Sequence, residues 1–376
     1  LGKLIISLGI RMFGMCPFGW RFMGTAFGVA MLPLLYLFLK NLFGRTVVAA
    51  CGTILFAADF MHLTQTRIGT IDTYGVFLIL LMYYFMYRYL ALPAGASFRR
   101  CALPLFLSGL FWGIGAASKW TVIYGCAGLV VLYFIGLYQK LRDYPAERRQ
   151  ERGGWCLKIL AFSVLCFVLI PAVIYVLSYI PYAQAKGDTS VGGLLKIMWD
   201  NQVYMFTYHK GVTDSHPYSS RWYQWIFDIR PILYYLDNTS VPGYKTAFGA
   251  FSNPVVCWGG LLAVIAVGIQ AVRRHSARAL FIFIGYLSQL LPWLLIGRIT
   301  FAYHYFPSIL FLVMALAWVF NDLARREVQT NWRPAVYGVT GGAVALYALF
   351  YPVLVGISIP LWYSSHLLRW FPSWPF

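Results

Sequence analysis

Charge is what this sequence has least of. Asp, Glu, Lys and Arg make up 11% of its 376 residues, where soluble domains carry roughly 25%, so the chain is too poor in polar groups to cover a water-soluble body of its size. No CxxC pair and no metal-type spacing joins its seven cysteines. Positions 16, 51, 101, 126, 156, 166 and 257 all fall in or beside apolar runs and read as packing residues. There is no Walker loop, no dinucleotide glycine pattern, no nucleophile elbow and no HExxH helix, which leaves nucleotide and protease chemistry without support. Self-similar halves, common in transporters, are missing too. His209 and His216 are seven residues apart and His304 is distant, a poor metal-binding set. No cofactor is indicated, and a divalent metal is neither required nor excluded.

What is there is apolar: 60% of the residues are hydrophobic. Ten runs are long enough to cross a bilayer, at about 20 to 39, 47 to 65, 72 to 90, 101 to 118, 120 to 138, 157 to 180, 253 to 271, 279 to 297, 302 to 320 and 335 to 358. Residues 4 to 14 are apolar but too short to span and fit an interfacial helix. The expected fold is an all-α polytopic membrane protein with an N-terminal membrane region (1–180), a long loop (181–252) and a C-terminal four-span region (253–376). A net charge of +18 raises nucleic acid as a partner, but the basic residues sit between apolar runs rather than on one face, which points to membrane lipids instead. Of the 30 Lys and Arg residues, 17 lie in alternate short connections: Lys40 and Arg45; Arg88, Arg99 and Arg100; residues 140–158; Arg273, Arg274 and Arg278; Arg325, Arg326 and Arg333. The positive-inside rule makes those connections cytoplasmic and the 181–252 loop extracytoplasmic, with both chain ends on the outer side.

The stretch His209–Tyr235 reads as the loop that builds the site. It is too polar to span, yet it carries Trp222, Tyr223, Trp225, Tyr234 and Tyr235, rings suited to an interface and to stacking on sugars or peptides. His209, Lys210, Asp214, His216, Ser219, Ser220, Arg221, Asp228 and Arg230 converge in the same stretch. Three short outer turns each hold one cation, Arg67, Lys119 and Arg298. A single Lys or Arg at a span end is commonly a snorkelling anchor, but three on the side where such anchors are disfavoured suggest an anion site, and a lipid phosphate fits it. Asp59 and Asp72, close in sequence to Arg67, stand out as ionisable groups at membrane depth.

These segments resemble the protein O-mannosyltransferases, C-type glycosyltransferases that use polyprenyl-phosphate mannose. LGK (Leu1–Lys3) is similar to the end of their HPPLGK motif, QTRIGTIDTY (Gln65–Tyr74) to their RxxxxD turn, and SKW (Ser118–Trp120) to their VKW segment. HPYSSRWYQWIFDIRPILYY (His216–Tyr235) and FAYHYFPS (Phe301–Ser308) resemble their C-terminal four-span region. The likeness covers nearly the whole chain and is strongest to bacterial members, since no inserted MIR domain fits between Pro181 and Ser252. It implies a GT-C-type fold with eleven spans in the full family. It also implies an inverting transfer of mannose from the lipid donor to Ser or Thr of a protein acceptor, at a cell membrane, with the active site extracytoplasmic. Arg67, Lys119 and Arg298 are then expected at the donor phosphate. His216, Ser220, Trp222, Tyr223, Trp225, Arg230, Tyr303 and His304 are expected at sugar and acceptor. One departure matters: the family's catalytic carboxylate belongs to an Asp-Glu motif upstream of HPPLGK. The chain as given is therefore expected to lack the first span and the general base, and to be inactive alone unless Asp72 or Asp214 serves. The alternatives are another C-type glycosyltransferase acting on a lipid or wall polymer, and a non-enzymatic transporter or lipid-binding protein.

Overall fold

The computed structural model describes residues 1–212, 215–326 and 331–376. In chain order the helices are α1 (Gly2–Phe13), α2 (Pro17–Phe43), α3 (Thr46–Ala57), α4 (Phe60–Arg67), α5 (Asp72–Leu90), α6 (Phe98–Ser118), α7 (Val122–Arg142), α8 (Arg152–Val164), α9 (Ile170–Leu177), α10 (Ile180–Lys186), α11 (Val191–Gly211) and α12 (Trp222–Ile226). Strands β1 (Ile232–Asp237) and β2 (Tyr244–Ala250) follow, then α13 (Pro254–Arg273), α14 (Ala277–Leu290), α15 (Phe306–Arg325), α16 (Arg333–Val355) and β3 (Ser358–Pro360). Among the described residues eight helical stretches are long and apolar enough to cross a membrane, or nine if the bent pair α3–α4 is one span. The 19-residue α5 has spanning length too, although its tyrosines and Arg88 dilute its apolar character. Each of the ten expected spans therefore meets a helix. The 12-residue α1 is only about 18 Å long at 1.5 Å per residue, too short to cross.

The chain forms two compact units. The first comprises Leu1–Met15 and Tyr74–Val212. Here α6 approaches the α8–α9 span at glycines: a Cβ on Gly109 would stand 2.2 Å from the Cys166 carbonyl oxygen, the backbone contact that small residues allow between membrane helices. Between α8 and α9 lies a π-turn, Leu165–Leu169. Pro171 follows without an N–H, and the Phe167 carbonyl four residues before it accepts the Trp112 indole N–H at 3.1 Å. Buried Lys140 finds its partners in the Leu90 and Leu92 carbonyls and the Tyr89 ring, 5.3 Å away.

The second unit comprises Cys16–Thr73 and Thr213–Phe376. Its central helix is α15, buried along most of its length. Gly260 and Gly285 on the neighbouring helices leave room for its Leu312 and Phe311. Helix α4 packs on α2 where Gly28 has no side chain, since a Cβ there would lie 2.5 Å from Thr66 Cβ. A small antiparallel sheet in the order β1-β2-β3, with a bulge between Leu233 and Tyr235, closes one core. Phe60, Leu233, Phe251, Phe350, Trp374 and Phe376 fill that core.

Three sequence expectations are corrected. The run 47–65 is not one straight span, because α3 and α4 meet at a 58° bend. Asp59 explains the bend. It is fully buried and caps α4, its Oδ1 accepting the Met61 and His62 N–H groups and its Oδ2 the Asn253 N–H. Asp59 is thus a structural cap rather than a cavity-facing group. Finally, His209–Tyr235 is not a single loop: His209 and Lys210 end α11, while the stretch also contains α12 and begins β1.

Candidate functional site

The site in the second unit starts from the end of α4. Thr25 Oγ1 donates to the Thr66 carbonyl at 3.3 Å, and His62 Nε2 lies 3.1 Å from the Gly28 carbonyl, so α2 fixes the last turn of α4. That turn presents Gln65 and Arg67. The Arg67 guanidinium sits 5.6 Å from the Phe248 ring centroid and donates to the Leu354 carbonyl at 3.3 Å. This spends one of its five donors and leaves a planar fork for a phosphate. Gln65 is fully buried; its Nε2 donates to the Tyr234 hydroxyl at 2.5 Å, and its Oε1 has no hydrogen-bond partner. Its carbonyl accepts from Thr73 Oγ1 at 2.9 Å, which ties the turn carrying Asp72 back onto α4.

Tyr234 comes from β1, where the bulge beside it interrupts the pairing register. Its ring packs 5.6 Å from Phe248. Burial pushes the Tyr234 phenol well above its usual range, and the Asp72 charge and the Tyr303 hydroxyl push in the same direction, against the Gln65 hydrogen bond. Arg298 lies within electrostatic reach of the Tyr303 hydroxyl and donates from Nη1 to the neighbouring Ile299 carbonyl at 3.1 Å. Arg67 and Tyr234 thus share the Phe248 ring, Gln65 bonds Tyr234, and the charges of Asp72 and Arg298 act on the Tyr234 and Tyr303 phenols.

The loop before α12 is also pinned. Ser220 N–H donates to the Thr300 carbonyl at 2.9 Å, and Thr300 Oγ1 donates to the Ser220 carbonyl at 2.6 Å. Ser220 Oγ accepts the Trp225 indole N–H at 2.9 Å. The His304 ring stacks on Tyr303 and Trp225, with centroids 4.4 and 5.9 Å away, and packs against Trp293 at 4.4 Å. Ser220, Trp225 and His304 are buried, and His304 carries the contact to Tyr303. His216 is exposed with its ring 5.2 Å from Phe301, and Arg230 Nη2 donates to the Pro217 carbonyl at 2.6 Å. On α12, Tyr223 is exposed and Trp222 half-buried, with their rings 5.8 Å apart.

After α12 the chain turns through Asp228, whose φ of 55° is rare for a side-chain-bearing residue and tolerated by Asp. Its Oδ1 accepts the Ser252 N–H at 3.2 Å, its carbonyl accepts the Trp374 indole N–H at 2.9 Å, and its buried Oδ2 has no partner. Burial holds the Asp228 carboxyl well above the carboxylate range, with the nearby Asp59 charge adding to the rise.

Of the residues singled out in the sequence, Arg67, Asp72, Arg298 and Tyr303 belong to one unit, in which His304 stacks on Tyr303, Trp225 on His304, and Ser220 holds Trp225. Lys119 belongs to the first unit, at the end of α6 beside Gly75. Asp214 lies outside the described residues. Gln65 was missed as a site residue, although it stands two residues before the RxxxxD turn; Tyr234 was named only among the loop's aromatic rings. Their pairing joins residues 169 apart in sequence, which no local pattern reveals. Among the described residues no cluster of three His, Cys, Asp or Glu side chains could hold a metal ion.

Two family profiles match most of the chain between them: "Dolichyl-phosphate-mannose-protein mannosyltransferase" over residues 5–184 and "C-terminal four TMM region of protein-O-mannosyltransferase" over 194–374. A polyprenol-phosphate-mannose–protein mannosyltransferase of Mycobacterium tuberculosis is 26% identical over 424 residues, covering 100% of this chain and 80% of the relative. One of the same name from Corynebacterium glutamicum is 24% identical, again over 100% of this chain and 80% of its own length. Among solved structures, the Saccharomyces cerevisiae protein O-mannosyltransferase Pmt1-Pmt2 complex bound to the sugar donor superimposes with a TM-score of 0.76 at 12% identity, over 90% of this chain and 78% of that one. ArnT from Cupriavidus metallidurans bound to undecaprenyl phosphate gives 0.54 at 12% identity, over 94% and 62%. These likenesses fix the fold as that of the C-type glycosyltransferases, and with the two adjoining profiles they show that the chain belongs to the protein O-mannosyltransferase family.

Proposed function

We propose that this protein transfers mannose from a polyprenyl-phosphate-linked donor to Ser or Thr hydroxyls of proteins, at the extracytoplasmic face of the cell membrane and with inversion at the anomeric carbon. The observation that carries this reading is the likeness along the whole chain to proteins named polyprenol-phosphate-mannose–protein mannosyltransferase. The placement of the reaction is supported by the clustering of basic residues in alternate connections along the sequence, at Lys40–Arg45, Arg88–Arg100, 140–158, 273–278 and 325–333.

In the reaction the bond between the anomeric carbon and the donor phosphate oxygen breaks, and a bond to the acceptor oxygen forms. The phosphate departs with the electron pair as a stable anion, so it requires charge compensation more than protonation. Arg67 and Arg298 supply that compensation, and Lys119 is assigned to the same role by its chemistry. The hydroxyl proton passes to a carboxylate, and Asp72 is the one whose charge acts on the Tyr234 and Tyr303 phenols. Tyr234 and Tyr303, with Trp222, Tyr223, His216 and Arg230 further along the loop, offer hydroxyls and ring faces to sugar and acceptor.

The test is transfer in membranes containing the protein, with a polyprenyl-phosphate-mannose donor and a Ser/Thr peptide, read as gain of one hexose by mass spectrometry. Sugar arriving only on a lipid or wall-polymer acceptor overturns the reading. Within the site, Asp72→Asn is expected to lower kcat by about 10²- to 10⁴-fold with donor KM little changed. A loss below that range would reassign Asp72 to orienting the two phenols.

A further inference from the structure

Helix α11 presents an apolar face that nothing in its unit covers. The 21-residue helix contains no buried residue. Val191, Leu195, Trp199, Val203 and Phe206 recur every three or four positions along one stripe, with Trp199 and Phe206 both 65% exposed. Lys196 and Asp200 run beside the stripe, paired at 2.6 Å and open to solvent. Polar bonds attach the helix along the edge of this stripe: Gln202 Nε2 and Asn201 Nδ2 donate to the Tyr179 hydroxyl at 2.7 and 2.8 Å, and the Tyr175 hydroxyl donates to Gln202 Oε1 at 2.8 Å. Tyr175 accepts the Trp120 indole N–H in turn. The helix is thus latched by polar bonds to the end of the α8–α9 span, and its stripe residues remain exposed.

That span has its own uncovered apolar face. Val164, Val168, Val173 and Leu177 are each more than half exposed, as lipid-facing residues of a membrane helix must be. Only α10, the left-handed Gly187 and the Ser190 cap separate this face from α11. We infer that the Val191–Phe206 stripe lies in the headgroup–acyl boundary of the bilayer, so that α11 is an interfacial helix continuing the lipid-facing surface of the α8–α9 span. Its composition fits: aliphatics and rings with a Trp and two Tyr, too polar overall to span. Water would otherwise meet a contiguous row of five large apolar side chains, which soluble faces avoid. The inference rests on membrane insertion alone and is independent of the sugar chemistry.

The test uses the whole protein in lipid nanodiscs, with the partly exposed Cys16, Cys126 and Cys156 replaced by Ala and one environment-sensitive fluorophore attached through Trp199→Cys, Phe206→Cys or Asp200→Cys. Thermal unfolding in detergent checks that each variant folds. Lipids carrying a nitroxide at a shallow acyl position should quench the probes at 199 and 206 at least about twofold more than the probe at 200, with the reverse order for an aqueous nitroxide. Equal aqueous quenching at all three positions would put the stripe in water and overturn the proposal. Protection of 199 and 206 from both quenchers would overturn it as well, by showing that protein covers the face.

Discussion

Arg67 and Asp228 show how differently two charged residues can be used within one unit. Arg67 leans on Phe248 and gives up one donor to a carbonyl, so its remaining fork is oriented before any anion arrives. Arg67→Ala is expected to weaken use of the lipid donor by roughly ten- to a hundredfold, the loss of one charge-assisted contact at about 1.5–3 kcal/mol. Arg67→Lys should recover part of this, because a point charge survives while the stacked planar fork does not. Wild-type donor kinetics in both variants would make Arg67 a plain interfacial anchor. Asp228 is the opposite case, a carboxyl whose pKa burial raises well above the usual range, with one oxygen unpartnered. Since its folded pKa lies above its unfolded one, its contribution to stability is fully present below the ordinary carboxylate pKa and fades as pH rises through the folded value. Asp228→Asn keeps an acceptor for the Ser252 N–H and tolerates the left-handed backbone. It should flatten the alkaline decline in Tm, whereas a pH profile parallel to wild type would show that Asp228 is not the group responsible. Both residues were visible in the sequence as charges in an apolar chain; how each is partnered was not, because that depends on groups contributed by β2, α16 and the Ser252 backbone.

At the scale of elements, what positions Arg67 is an absence of side chain. Gly28 lets Thr66 sit where a Cβ would have to be. Gly28→Ala must therefore push α4 off α2, with a cost of about 1–3 kcal/mol in stability and a fall in donor use measured in the same preparation. If stability dropped and donor kinetics were untouched, α4 would not be the element that aims Arg67. Helix α12 is a different device, a single short turn held between the Ser220–Thr300 bridge and the Asp228 turn. Trp222→Ala is expected to raise KM for an acceptor peptide more than for the lipid donor, and the reverse order would move α12 to the donor side. The spans themselves were legible, because an unbroken apolar run of about 20 residues leaves the chain few options in lipid. The break at Asp59 was not, since an Asp after an apolar run reads equally as a cap or as a cavity-facing charge. The sheet escaped for a related reason: β1 and β2 are short, and β3 is three residues long, below the length at which alternation stands out.

For the whole molecule, the distribution of Lys and Arg predicts orientation. A probe attached through Asp188→Cys should label in intact cells, while one placed at residue 147 by Glu147→Cys should label only after permeabilisation. The reverse pattern would turn the molecule over and carry the assigned site to the cytoplasmic side. Fold class and family could be read from the sequence because both rest on long or distinctive local runs. The joining of Gln65 to Tyr234 could not, since it depends on how distant spans assemble. One residue at such a junction has a consequence for motion. Asn253 gives its side-chain N–H groups to the Ala58 and Ala343 carbonyls and its backbone N–H to Asp59, while its Oδ1 accepts from Val255 and its carbonyl from Cys257. A bend in a span invites comparison with a hinge, but here α3, α4, α13 and α16 are tied at a single amide with every polar atom engaged. The kink should therefore behave as a rivet, with the amide protons of Met61 and Asn253 exchanging with deuterium only on the timescale of unfolding of the whole unit.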